Sequence, residues 1–543
     1  PAVYKLKVSS STNSSPHSPC NRLRKKHTHT AMSESTTQEA LLQLKKTLEL
    51  LSVQQQHGTG PVPTPKASNR VKKTSYFKDY SSKYLDFTYE NPTIYHVVRY
   101  CATRLDKAGF TYLSEKSSWS EVASGKYYTI RNGTNLVAFT LGENWKIENG
   151  VGAIGAHIDA LTAKLKPCSL KNNVEGFELL GVAPYAGTLN DVWFDRDLGI
   201  GGRVLVKDPE TNKIDSKLVD SSPHPIARIP TLAPHFGAPA VGPFDKEDQA
   251  VPVVAYTGDD DDDDDDDDEG HDVEDEKRSP LYGKHSIHLL RYVASLAKVK
   301  VSQLLQFDLD LFDVQRGTFA GLKNDFIFAP RLDDRLCSFS ALNALLEFSN
   351  DGPIPEGSFN LVALYDNEEI GSLSRQGAKG GLLESVVERV VSALYTDTSL
   401  SRTVFANSIV ISADVIHMLN PNFANVYLEH HRPKPNVGLT LSLDSNGHMA
   451  TDVVGTGLVE ELARLNNDKI QYFQIKNNSR SGGTIGPSIA SQTGARTIDM
   501  GIAQWSMHSI RAATGSKDVG LAVKFFKGFF TNWREDYDKF GDL

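Results

Sequence analysis

Leu41, Leu44, Leu48 and Leu51 recur at steps of three and four residues, the seam of a short amphipathic helix. Leu42 and Leu50 widen that stripe. Gly58-Thr-Gly-Pro-Val-Pro-Thr-Pro65 then breaks the pattern and reads as a linker. A helix this short is marginal alone in water. It therefore either packs on the main body or acts as a detachable segment that self-associates or binds a receptor. From about Ser75 helix-like stretches alternate with short runs that are apolar on both faces: Gly152–His157, Phe359–Tyr365, Ser408–Ala413 and Thr497–Ile502. Strands of a parallel sheet covered by helices read this way, so the pattern predicts an α/β fold on a mostly parallel sheet. Between Leu165 and Asp325 prolines multiply and helical patterns thin out, which predicts a second domain inserted into the first. The expected organisation is a disordered extension over 1–31, helix and linker over 32–74, and a main domain in two parts, 75–164 and 326–543. The inserted domain occupies 165–325.

Length supports two domains, since 543 residues exceed what one core usually serves. The chain is 39% hydrophobic and 23% charged, as in ordinary globular proteins. No apolar run reaches the roughly 20 residues of a membrane span, and the first thirty residues hold no apolar signal core. Neither a transmembrane helix nor a conventional secretory signal is expected. The four cysteines are scattered and form no C-x-x-C pair, so synthesis in a reducing compartment fits. The net charge of −9 is concentrated in the ten aspartates Asp259–Asp268, inside an acidic stretch over 257–279 expected to be a solvated, disordered loop. Without it the chain is near neutral, which argues against a nucleic-acid surface.

The candidate chemistry follows the apolar runs. They lead into Gly155-Ala-His157-Ile-Asp159, Tyr365-Asp-Asn-Glu368-Glu369, Ser412-Ala-Asp414-Val-Ile-His417 and Ser506-Met-His508. Pro330-Arg-Leu-Asp333-Asp334 follows another short run, Phe326–Ala329. Ligands of open α/β sheets bind at the carboxyl ends of strands, so these ends are expected to converge. Two histidines and three carboxylates suit a pair of zinc ions with one carboxylate between them. On a strand His157 and Asp159 share a side, so Asp159 is placed to fix the imidazole. Glu368 and Glu369 must diverge, leaving one free to act as general base. Each motif has a bland reading alone, a hydrogen-bonded core histidine or a solvated acid pair; five in one chain point to a metal site. Gly199-Ile-Gly201-Gly202-Arg203 lacks the Lys-Ser/Thr ending of a P-loop, and no G-x-S-x-G elbow is present. Ser481-Gly-Gly-Thr484-Ile-Gly486-Pro is either an anion-binding turn at a helix start or, the preferred reading, a tight turn near the metal site.

Gly155–Thr162, Arg331–Asp333, Tyr365–Ser372, Ser412–Asp414, Gly483–Pro487 and Met507–Arg511 resemble the aspartyl aminopeptidase family of zinc exopeptidases. The resemblance runs from about Leu41 to Leu543 and takes in the leucine helix, which resembles the propeptide of fungal members. It implies two zinc ions per subunit with Asp333 bridging, His157 and Asp414 on one ion, and Glu369 and His508 on the other. It further implies Glu368 as general base and Asp159 as the partner of His157. The inserted stretch resembles a dimerisation domain whose His235 reaches into the neighbouring active site; His417 is a weaker candidate for substrate contact. Dimers assembling into a dodecamer are implied. So are synthesis in the cytoplasm, delivery to the vacuole by a selective-autophagy receptor that binds the leucine helix, and removal of the propeptide there. In one place the chain departs from the pattern. Aspartyl members hold a lysine and a tyrosine where this sequence has Ser442 and Met449. An acidic substrate side chain would be buried unpaired there, so the expected substrates are peptides with neutral, apolar N-terminal residues such as leucine. The alternatives are an aspartyl aminopeptidase that prefers acidic N-terminal residues, a zinc deacylase or carboxypeptidase, which share the H-x-D and Glu-Glu motifs, and a cargo or scaffold protein with vestigial catalysis.

Overall fold

The computed structural model describes residues 76–257 and 272–543. The extension over 1–31, the leucine helix, its linker and the aspartate run lie outside the described residues. Nine strands form the central sheet, with five neighbour pairings parallel and three antiparallel. At its centre Phe359–Tyr365, Gly152–His157, Ile409–Ala413 and Arg496–Gly501 run parallel, side by side.

Side chains of these strands alternate between two cores, as the pleat requires. Ile154, Val362 and Ile411 enter one core; Ala153, Leu361 and Val410 enter the other. The first lies under helices Tyr76–Glu90, Ile94–Lys107, Arg335–Asn350, Val453–Asn466 and Asp518–Asp538, the second under Leu382–Leu394. Apolar on both faces in sequence, these strands are covered on both faces in the fold.

A second, six-stranded sheet runs from Thr162 to Asp313 and is antiparallel throughout. Helix Ile287–Ala297 packs Leu290, Val293 and Ala294 against Leu198, Ile200 and Val204 of that sheet. The glycine-rich run Gly199–Gly202 lies inside strand Leu198–Lys207 and forms no loop. At Gly202 a Cβ would stand 2.1 Å from the Asp308 carbonyl oxygen, so close approach of two backbones explains that glycine.

A third sheet of five strands contains Phe326–Ala329, Ala512–Gly515, Ala503–Trp505 and Ile416–His417. One strand end expected on the parallel sheet therefore belongs here instead, Phe326–Ala329 before Asp333; the run that leads to His508 is in the parallel sheet as expected, as Arg496–Gly501, and His508 itself follows in a hairpin of this third sheet. A four-residue run is too short for periodicity to say which sheet it joins. Residues 273–276, read from the sequence as part of a disordered acidic loop, form the short helix Val273–Glu276. Its Glu276 pairs with Arg291 at 2.9 Å, a partner that charge counting along the chain does not reveal.

Candidate active site

Adjacent parallel strands deliver their following residues to one edge of a sheet. His157 closes Gly152–His157, Glu368 and Glu369 form a turn after Phe359–Tyr365, and Asp414 follows Ile409–Ala413. Asp333 precedes helix Arg335–Asn350, and His508 sits in the turn between Ala503–Trp505 and Ala512–Gly515. Asn367 and His508 both hold left-handed backbone, with φ of 58° and 63°. Such backbone is uncommon outside glycine and recurs where a fold aims a side chain.

The structure gathers these groups tightly. His157 Nε2 lies 3.3 Å from Asp333 Oδ1, 3.6 Å from Asp414 Oδ1 and 3.9 Å from Glu368 Oε2. His508 Nε2 lies 3.6 Å from Asp333 Oδ2 and 3.7 Å from Glu369 Oε2. The two oxygens of Asp333 thus face two different imidazoles. Asp334, not singled out from the sequence as a ligand, joins His157 and Asp414 in a second triad of ligand atoms within 4.8 Å of one another. It is fully buried and caps its helix through the Cys337 N–H at 3.4 Å.

Asp159 holds this arrangement from behind. Its Oδ1 meets His157 Nδ1 at 3.1 Å and accepts the Glu368 N–H at 3.2 Å. Its Oδ2 accepts the Glu369 N–H at 3.2 Å and the Tyr185 hydroxyl at 2.7 Å. Tyr185 comes from the six-stranded sheet and also accepts from Asn367 Nδ2 at 2.9 Å. One carboxylate therefore orients the imidazole, pins the Glu368-Glu369 turn and ties both to the second sheet. Neither Tyr185 nor Asn367 was legible in the sequence.

So many acids in one buried place oppose ionisation. Burial and the carboxylates of Asp333 and Asp159, against the pull of His157, hold Glu369 well above the usual range. Burial pushes Glu368 up to about 8, with Asp414 and Asp159 adding to it against His157. Burial also raises Asp414. Burial alone would lower His157, but Asp414, Asp159 and Asp333 outweigh it and raise it well above the usual value. Glu369 Oε1 is buried with no hydrogen-bond partner among the described residues. A crowd of desolvated carboxylates with an orphan oxygen and two imidazole nitrogens fits a divalent cation, and the mixed N/O donors fit zinc.

Beside this cluster lies a pocket of about 110 Å³. Ser442, Met449 and His417 line it, as does the Ser481–Thr484 turn. Phe473, Ile475 and Met507 complete an apolar wall, and among the described residues no lysine or arginine lines it. Behind the wall the buried Asp499 accepts from Thr484 Oγ1 at 2.6 Å and from the Ala450 N–H at 2.5 Å, fixing both flanking loops. A lone acid inside the apolar run Thr497–Ile502 was the available signal for Asp499. Phe473 offered none, because Gln471–Phe473 is a three-residue strand at the sheet edge. His235 stands apart: it is exposed in the turn Pro234–Phe236 and lines neither this pocket nor the larger cavity nearby.

With this geometry in view, the comparisons with known proteins agree. Residues 87–530 match the aminopeptidase I zinc metalloprotease family (M18). Vacuolar aminopeptidase 1 of Saccharomyces cerevisiae is 62% identical over 517 residues, covering 93% of this chain and 99% of that protein. The solved mApe1 dodecamer of S. cerevisiae is 59% identical with a TM-score of 0.77, covering 86% of this chain and all (100%) of that one. A structure of the Ape4 and Nbr1 complex matches at 33% identity and a TM-score of 0.80, covering 85% of this chain and 87% of that one. The chain is an aminopeptidase of the M18 family of zinc metalloproteases.

Proposed function

We propose that this aminopeptidase carries two zinc ions per subunit and removes neutral, apolar residues such as leucine from peptide N-termini. The observation that carries the substrate preference is the pocket walled by Met449, Phe473, Ile475 and Met507 without a cation. Asp333 would be shared by the two ions, with His157 and Asp414 helping to hold one and Glu369 and His508 the other; the distances above support that division. Zinc held there supplies Lewis acidity, polarising the scissile carbonyl and acidifying water.

The chain's own groups do the rest. Glu368, on the inner side of its turn, takes a proton from the attacking water at its carboxylate and returns it to the leaving amine. Asp159 keeps His157 and the Glu368 backbone in place while that proton moves. The substrate's free α-amine would meet Glu369 and nearby acids, so N-blocked peptides should not be cleaved. His417 at the pocket rim contacts the substrate. In an assembled enzyme His235, on its exposed loop, would reach a neighbouring subunit and stabilise the tetrahedral intermediate. The test is Glu368→Gln: zinc content should stay at the wild-type level while leucine p-nitroanilide hydrolysis drops by a factor of roughly 10² to 10⁴. Substantial hydrolysis by that variant removes Glu368 as the base.

The six-stranded sheet is proposed as the dimerisation domain, with the exposed Phe236 and Val241 of its loop as contact residues and a dodecamer as the full assembly. The dodecameric relative supports this. Delivery to the vacuole after synthesis in the cytoplasm, as cargo of a selective-autophagy receptor, is supported by the name of the yeast relative and by the Ape4–Nbr1 complex. The leucine helix is the proposed receptor-binding segment. Deleting residues 37–53 should abolish delivery and spare hydrolysis of leucine substrates; delivery that survives the deletion rules the segment out.

A further inference from the structure

Asp499, in strand Arg496–Gly501, is 1% exposed and holds no place in the candidate ligand triads. Its two carboxylate oxygens serve two different segments: Oδ1 accepts the Thr484 hydroxyl and Oδ2 the Ala450 N–H. Both donors belong to the apolar pocket. Thr484 lines it directly, and Ala450 follows Met449, which lines it from the other segment. Thr484 Oγ1 lies 4.0 Å from Met449 Sδ, so the two segments meet where the carboxylate joins them.

The Thr484 hydroxyl accepts the Gly486 N–H at 3.2 Å, and its own proton goes to Asp499 at 2.6 Å in preference to the Met449 sulfur, a weak acceptor. Hydrogen bonds to an ionised acceptor are roughly twice as strong as neutral ones. Packing does little to hold the tip of the Ser481–Thr484 turn: nothing lies within 4 Å of where a Cβ would stand at Gly482 or Gly483. A wall of bare backbone with open space around it takes its position from its anchor, and Thr484 is that anchor. On the other segment Thr451 Oγ1 accepts the Asp499 N–H at 2.8 Å, a bond that survives any change of the Asp499 side chain.

We propose that Asp499 is a positioning residue for substrate selection: it clamps the Met449 segment to the Ser481–Thr484 turn and so sets how closely the pocket fits the side chain of the residue to be removed. It acts through Thr484 and Met449 and touches no substrate itself. A leucine side chain reaches both walls and gains from the clamp, whereas an alanine methyl is too short to gain much. The inference rests on the reading that this pocket takes the N-terminal side chain. It makes the preference for long apolar residues depend on a buried acid behind the wall.

The test uses the zinc-loaded full chain with leucine and alanine p-nitroanilides, measured for the wild type, Asp499→Asn, Thr484→Val and Thr484→Ser. Asparagine keeps the volume but offers one acceptor oxygen to two donors; valine removes the hydroxyl and serine keeps it. The wild type should favour leucine in kcat/KM. Asp499→Asn and Thr484→Val should each cut the leucine-to-alanine ratio by about tenfold or more, the equivalent of one hydrogen bond to a charged group. The loss should fall mainly on KM for leucine, as expected when binding common to ground and transition state is removed, with zinc per subunit at the wild-type level. Thr484→Ser should retain the wild-type ratio. An unchanged ratio in folded Asp499→Asn overturns the inference, as does an equal fall in kcat for both substrates, the mark of general damage. Should Asp499→Asn misfold, the contrast between Thr484→Val and Thr484→Ser decides alone. A wild type without a leucine preference refutes the reading of the pocket, and the inference falls with it; a wild type with that preference and an Asp499→Asn protein that keeps it refute the inference alone.

Discussion

Gly501 closes the strand Arg496–Gly501, beside the strand that leads to Asp414. A Cβ at Gly501 would stand 1.7 Å from the Asp414 carbonyl oxygen, 2.7 Å from its carbonyl carbon and 3.0 Å from its nitrogen. All three are backbone atoms, so no rotamer change relieves the overlap. Bringing the closest atom back to ordinary contact needs a shift of about 1.7 Å or more between two packed strands. That shift falls on Asp414, which must keep its carboxylate at 3.6 Å from His157 Nε2 if both are to reach one ion. Misplacing a reacting group by about 1 Å can cost on the order of 10² in rate. Gly501→Ala is therefore expected to lower kcat for leucine p-nitroanilide by about 10² or more and to reduce bound zinc. Circular dichroism and gel filtration establish that the variant is folded, and zinc per subunit is read by mass spectrometry. A folded Gly501→Ala protein with full zinc and more than half the wild-type kcat would refute the reasoning, because it would mean that the strands absorb the methyl elsewhere.

Met449→Lys places a cation against the apolar wall, so the ratio of aspartyl to leucyl p-nitroanilide hydrolysis should rise at least about tenfold, or about 1.4 kcal/mol. An unchanged ratio would show that Met449 does not face the substrate side chain. Removing zinc with a chelator should lower Tm by several degrees at neutral pH, because the buried carboxylates then face one another without a cation; an unaltered Tm contradicts the crowding described at the site. His96 is buried, its Nδ1 2.8 Å from Thr93 Oγ1, and burial, with Arg99 and Arg335 adding to it, lowers its pKa from 6.5 to about 3. Between those values the unfolded chain binds the proton and the folded chain does not, so stability present above pH 6.5 is lost as pH falls toward 3. His96→Gln should flatten the fall in Tm between pH 6.5 and 4, and a parallel fall in variant and wild type argues against the assignment.

The sequence made the parallel core legible because its strands are buried on both faces, and a run such as Phe359–Tyr365 has no polar alternation to mislead. The candidate ligands were legible for a related reason: acids and histidines directly after such runs stand at a sheet edge where they can meet. Asp333 was found as a motif but the strand before it was placed on the wrong sheet, since a strand of four residues carries too little periodicity. What stayed hidden came from contacts between distant segments. Phe473 and Ile475 belong to an edge strand and its following loop, and Tyr185 reaches Asp159 from another sheet. Motif spacing registers neighbours along the chain, whereas these groups are neighbours only in space.

The Tyr185–Asp159 hydrogen bond has a mechanical corollary. Any slide of the six-stranded layer relative to the parallel one pulls on the same carboxylate that aims His157 and anchors the Glu368-Glu369 backbone. Motion of that layer is thereby passed, through the Tyr185 hydroxyl, to the atoms that grip the substrate, and excising the layer would leave the hydrolytic half mistuned.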